Sequence, residues 1–153
     1  MLFRSEACHF IDLAMHIAAS PIKSVSAYAT NDANALMDTV AINLKFENGS
    51  IASVNYLSNG NKNVPKERIE VFCDGTVYEI DDFKKMTIYG NTVSNKKLYG
   101  QDKGHSNELV SFIDAVKNGK EMPISFDDIY MSTLVTLKAI ESIKSNRTIE
   151  ISI

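Results

Sequence analysis

The sequence predicts an α+β fold: an open, mainly antiparallel β-sheet with helices packed on one face. Three observations lead there. The chain opens with a helix-period segment, Ser5 to Pro21; it continues as alternating apolar and polar stretches joined by Asn48-Gly49 and Asp74-Gly75; and it returns to helical spacing from Asn107 onward. Successive strands joined by tight turns pair antiparallel, and helices grouped before and after them pack on a face of the sheet. With 153 residues, no internal repeat and no long linker, residues 1–153 read as a single domain with one core.

In "SEACHFIDLAMHIAASP" the spacing of Phe10, Ile11, Ala14, Ile17 and Ala18 predicts a helix over Glu6–Ala19, with Ser5 as its N-cap and Pro21 stopping it. "IKSVSAYATN" alternates Val25, Ala27 and Ala29 against Ser24, Ser26 and Tyr28, a strand pattern. In "TVAINLKFENGSIASVNYLSN", Val40, Ile42, Leu44 and Phe46 alternate with polar residues before Asn48-Gly49, the clearest hairpin signal in the chain. "ERIEVFCDGTVYEIDDF" is a second hairpin about Asp74-Gly75, and "KMTIYGNTVSNKKLYG" adds one or two strands around Gly90-Asn91. Leu109, Phe112, Ile113 and Val116 mark a helix ended by Asn118-Gly119. Ser125 caps a last helix carrying Ile129, Leu134, Leu137, Ala139, Ile140 and Ile143, and "TIEISI" closes as a strand. The three helical segments are expected to cover one sheet face. The other face, with Asn43, Lys45, Ser53, Asn55 and Tyr56, is expected to meet water or a partner subunit.

The formal net charge is −3, with Lys and Asp/Glu interspersed, which argues against nucleic acid or an anionic membrane as the main partner. No apolar run approaches the roughly 18 residues of a membrane span, and the N-terminus lacks a signal-peptide pattern. Cys8 and Cys73 are far apart and read as small buried thiols in a reducing, cytoplasmic setting. Met86, Met122 and Met131 read as gap-filling core.

His9, Asp12 and His16 fall on one stripe of the first helix, at i, i+3 and i+7. From spacing alone this is either a solvated polar face or an acid/base site, since imidazole is the side chain best suited to move protons near neutral pH. A metal site would need further His, Cys or Asp ligands in a matching cluster, and the sequence offers none.

Three segments carry a family resemblance. "SEACHFIDLAMHIAASPIKSVSAYA" resembles the start of the C-terminal domain of the glucose–fructose oxidoreductase / inositol dehydrogenase / MocA (Gfo/Idh/MocA) family, where a C-H-F-I-D or H-x-I-D signature lies on a helix. "VPKERIEVFCDGTVYEIDDF" resembles the family's hairpin, and "KGHSNELVSFIDAVKNGKEMPISFDDIYMSTLVTLKAIESIKSNRTIEI" its C-terminal helix pair and last strand. The resemblance implies the substrate-binding and oligomerisation domain of an NAD(P)-dependent oxidoreductase acting on a sugar or polyol, assembled as a homodimer or homotetramer through the open sheet.

In that family the cofactor, NAD or NADP, sits on an N-terminal Rossmann domain. The seven glycines of this chain make no G-x-G-x-x-G, so that domain reads as absent and no cofactor-binding residue is assigned. The chain is accordingly expected to be inactive alone. The alternative is a stand-alone, non-catalytic interaction or small-ligand-binding module.

By the same resemblance His9 matches the motif histidine and implies substrate contact and acid/base support. Asp12 matches the motif aspartate, which either orients the helix or the imidazole or is a structural carboxylate. Many members place an Asp four residues before the histidine; here that position is Ser5, and Glu6 either substitutes across the turn or complements the helix dipole. His16 has no catalytic counterpart and reads as helix surface or packing. Lys66 and Arg68 are either solvated or an anion site, and His105 is a local cap or a cleft residue.

Overall fold

The computed structural model describes residues 3–31 and 38–152, with side chains from Glu6 onward. Helix α1 spans Phe3–Ala18, strands β1 Ile22–Ala29, β2 Thr39–Phe46 and β3 Ile51–Leu57, and then β4 Arg68–Cys73, β5 Thr76–Asp81, β6 Lys85–Tyr89 and β7 Val93–Lys97. Helices α2 His105–Asn118 and α3 Phe126–Ser145 and the short strand β8 Ile149–Glu150 complete the chain. The strands form two open four-stranded antiparallel sheets, in the orders β3-β2-β1-β8 and β4-β5-β6-β7, rather than one continuous sheet. The chain divides into two units, residues 1–59 with 124–153, and Gly60–Pro123.

In the first unit α1 and α3 pack on one face of the sheet. Ala7, Ile11 and Met15, spaced every four residues, are buried against Val25 and Ala27 of β1, Val40, Ile42, Leu44 and Phe46 of β2, and Val135, Ala139 and Ile140 of α3. Burial of a side chain such as Ile11 or Phe46 is worth about 1.5–3 kcal/mol. The buried stripe of α1 is therefore turned from the expected one: Phe10 is half-buried and Ile17 is 43% exposed. The reason is Ala7 and Met15, one small and one flexible, which let the helix lie close to the sheet.

The first turn of α1 also differs from expectation. The backbone is helical from Phe3, so Ser5 lies inside the helix rather than ahead of it, and its expected side-chain cap lies outside the described side chains. At the other end Ala19 takes φ 48°, and the Asn48 side-chain amide donates to Ala18 O at 3.0 Å. Asn48 also accepts from Ser50 N at 3.0 Å, so one residue shapes the β2–β3 turn and caps α1. Gly49, at φ 91°, supplies the conformation that turn requires.

Alternation along β3 sends Ala52, Val54 and Tyr56 toward the core and Ile51, Ser53, Asn55 and Leu57 outward. Tyr56 thus belongs to the covered face, not to the open one expected of it, because neighbours in a strand cannot share a face. Asn43, Lys45, Ser53 and Asn55 are exposed, with Ser53 Oγ donating to Asn43 Oδ1 at 2.8 Å. A buried hydroxyl, Ser142 on α3, accepts from Ala27 N at 3.0 Å and pins the helix end to β1.

The second unit is a meander. Asp74 and Gly75 (φ 46° and 74°) turn β4 into β5, as expected of Asp-Gly. Asp82 and Phe83 (φ 50° and 51°) turn β5 into β6, closed by Lys84 N to Asp81 O at 2.9 Å. Helix α2 starts from Gly104 at φ 80° and ends at Gly119 at φ 62°. Its only buried residue is Ala115; Leu109, Phe112, Ile113 and Val116, expected to face a sheet, are exposed. Cys73 and Met122 are likewise exposed rather than core, while Met131 is buried.

Candidate functional site

The three candidate catalytic residues all ride on α1. Taking the buried stripe of Ala7, Ile11 and Met15 as reference, His9 lies about 160° round the helix and Asp12 about 100°, at its flank. The structure agrees with that arithmetic: His9 and His16 are exposed and Asp12 is half-buried. The amphipathic pattern that seats α1 on the sheet is what turns His9 outward.

Asp12 is the electrostatic centre of this face. Burial pushes its carboxyl above the ordinary value of 3.8, the Asp128 charge pushes it further, and His16 and His9 oppose both. Asp128 stands in the first turn of α3, where its N–H donates to the Ser125 cap at 3.0 Å and its Oδ2 accepts from the Ser125 hydroxyl at 2.7 Å. The structure therefore gathers His9, Asp12 and His16 with an unforeseen fourth group, Asp128. The signature Ser125-x-x-Asp128 places Asp128 on the helix start, but nothing in the sequence says that this start faces α1. No hydrogen bond or ion pair links His9 to Asp12 among the described residues.

Glu6 is half-buried and looks elsewhere. Its charge, after burial and together with that of Asp38, raises the Tyr56 phenol above its ordinary 10.0, which places Glu6 on the β3 side of the helix. Tyr56 is a second residue that sequence reasoning left out of this region.

The remaining candidates lie in the Gly60–Pro123 unit. Arg68 is engaged by carboxylates: it donates to Glu70 Oε1 through Nε at 3.1 Å and lies 3.8 Å from Glu79. Lys66 is exposed, and His105 is the exposed first residue of α2. Among the described residues no group of three or more His, Cys, Asp and Glu side chains is placed to hold a metal ion, and no helix is long and apolar enough to cross a membrane. Gly49 and Gly75 sit in hairpin turns, and Gly104 and Gly119 at the two ends of α2.

The fold recurs in solved oxidoreductases. An oxidoreductase from Agrobacterium radiobacter in complex with NAD+, L-tartaric acid and magnesium superposes with a TM-score of 0.80 at 16% identity, over 95% of this chain and 47% of that one. An aldose-aldose oxidoreductase from Caulobacter crescentus complexed with glycerol gives 0.78 at 18% identity, over 94% of this chain and 45% of that one. For UDP-N-acetylglucosamine 3-dehydrogenase GnnA from Acidithiobacillus ferrooxidans the values are 0.79 and 14%, over 90% and 45%. The chain thus spans about half the length of the solved structures it matches. No curated protein matches its sequence. The profile of the GFO/IDH/MocA C-terminal domain matches residues 1–79, the stretch that carries α1, strands β1 to β4 and most of β5, and the chain belongs to that family of oxidoreductase C-terminal domains.

Proposed function

We propose that this chain is the substrate-side domain of an NAD(P)-dependent sugar or polyol dehydrogenase, and that both of its units are parts of that one domain. The observation that carries the reading is the exposed imidazole of His9 on the family's histidine helix, beside the half-buried carboxyl of Asp12. A nicotinamide held on a nucleotide-binding half would supply the hydride acceptor. The task of this chain is to hold the hydroxyl-bearing carbon and accept the alcohol proton. His9 acts as the base, a role worth about 10²–10⁴-fold in rate. Asp12 supplies a nearby negative charge that favours the imidazolium once His9 takes up the proton. Glu6, turned toward Tyr56, supports the helix rather than the chemistry.

The open face of the first sheet, with Ile51 and Leu57 exposed beside Asn43, Lys45 and Ser53, is the assembly surface of a homodimer or homotetramer in this reading. Two free thiols, one half-buried and one exposed, accord with a reducing cytoplasm. The second reading is a non-catalytic interaction module, favoured by the exposed apolar side chains of α2.

Nucleotide titration separates the two. By fluorescence the 153-residue chain alone should show no micromolar binding of NADH. The same chain joined to a family nucleotide-binding half should reduce NAD+ or NADP+ with at least one member of a panel of aldoses, inositols and amino sugars. Turnover of no substrate by the joined protein, with NADH bound, would favour the interaction module.

A further inference from the structure

The Gly60–Pro123 unit contains an open cleft of about 570 Å³ lined by four lysines, Lys62, Lys66, Lys84 and Lys103, with Asp82 and Gln101 between them. We propose that it binds a terminal phosphate group, carried by a small sugar or nucleoside, independently of any role of His9.

The floor is built and held. Glu67, only 8% exposed, accepts from Lys103 Nζ at 2.6 Å, and its backbone carbonyl accepts from Asp82 N at 2.7 Å. Gln101 donates to Asp82 Oδ1 at 3.0 Å and to Asp82 O at 3.1 Å, and Lys84 donates to the Asp82 carboxylate. The Lys84 hydrogen bond draws the Asp82 carboxyl below its ordinary 3.8, so that carboxylate stays charged at neutral pH. Lys103 also lies 6.0 Å from the Phe83 ring centroid, over the left-handed turn.

The wall is unmatched. Lys62 and Lys66 have no carboxylate within ion-pair distance among the described residues. Four ammonium groups stand against the carboxylates of Asp82 and Glu67, and Asp81 also acts on Lys84, so one positive charge is left over in and under the cleft. The segment between the two free lysines is constrained by Val64 N to Asn61 O at 3.0 Å, by Asn63 N to Asn61 Oδ1 at 2.9 Å, and by Pro65. A phosphate monoester carries about −1.5 to −2 near neutral pH and three acceptor oxygens, which the unpaired Lys62 and Lys66 are placed to meet. Lysine serves such groups as a point charge. The volume leaves room for the sugar or nucleoside attached to the phosphate.

The test is an amide NMR titration of the full chain at low ionic strength with inorganic phosphate, glucose 6-phosphate and 2′-AMP. Saturable shifts confined to residues 62–67, 82–84 and 101–103 are expected. The double variant Lys62→Gln/Lys66→Gln should weaken binding by about tenfold or more. A control with the same charge loss on β7, Lys96→Gln/Lys97→Gln, should leave it nearly unchanged. Tighter binding of one organic phosphate identifies the carrier, and equal binding of all three assigns the phosphate alone. Unsaturable or dispersed shifts, or equal weakening in the two double variants, would overturn the proposal.

Discussion

In the unit formed by residues 1–59 and 124–153, fourteen apolar side chains of α1, β1, β2 and α3 are buried in one cluster, whereas in Gly60–Pro123 Ala115 is the single buried apolar residue among those described. The second unit keeps its shape by other means: a meander of backbone ladders, two left-handed turns and two left-handed helix ends, and a hydrogen-bonded set around Glu67 and Asp82. One region is thus specified by what it removes from water, the other by polar geometry. The difference teaches where to look for function. Apolar burial fixes α1 and so fixes the direction of His9, while the polar unit leaves charged and apolar groups free to meet a ligand or a partner.

The largest effect that would break this contrast lies in the core. Phe46→Ala should cost about 3–5 kcal/mol in urea unfolding. Phe72→Ala in the second unit, where the ring is 73% exposed, should stay within about 0.5 kcal/mol. Equal losses would mean that the two units are not built differently.

A smaller effect sharpens the first half of the contrast. Ser142→Ala strands the buried Ala27 N–H and should cost about 1–3 kcal/mol, with faster amide exchange along β1. In the second unit Glu67→Gln weakens the contact to Lys103, whose side chain can turn to water at 30% exposure. About 1 kcal/mol is expected, read as faster exchange at residues 82–84.

The smallest is a pH effect. The folded-state carboxyl of Asp12 lies above its ordinary 3.8, so the native state binds a proton that the unfolded chain has already lost. Its contribution therefore favours folding below that value and is lost as pH rises through the raised one. Asp12→Asn should flatten the stability profile in the window immediately above pH 3.8, leaving the rest unchanged. A profile identical to the parent's in that window would remove Asp12 from the partly desolvated face of α1.

Much of the architecture was legible because hydrophobic period and turn chemistry agree. Asn48-Gly49, Asp74-Gly75 and the Ser125 cap stand where their residue types predict. The Asp82-Phe83 turn was illegible because an aromatic residue at positive φ is a poor turn signal, tolerated here through contacts from Glu67 and Gln101 that are distant in sequence. The division into two sheets was hidden for a related reason: strand alternation reports faces, not which strands share a ladder. Helix α2 shows the limit of periodicity, since its apolar spacing is real yet its apolar side chains are exposed. At the candidate site, the stripe of His9, Asp12 and His16 could be read from the i, i+3, i+7 spacing. The approach of Asp128 to Asp12 depends on how α3 crosses α1, which no local pattern encodes.

The central claim is that His9 takes a proton from the substrate alcohol. The most direct measurement is kcat/KM for polyol oxidation by the chain joined to its nucleotide-binding half, comparing His9→Ala with His16→Ala. The account predicts a loss of about 10²–10⁴-fold for His9→Ala and near-parent turnover for His16→Ala. Undiminished turnover without the position 9 imidazole would contradict it.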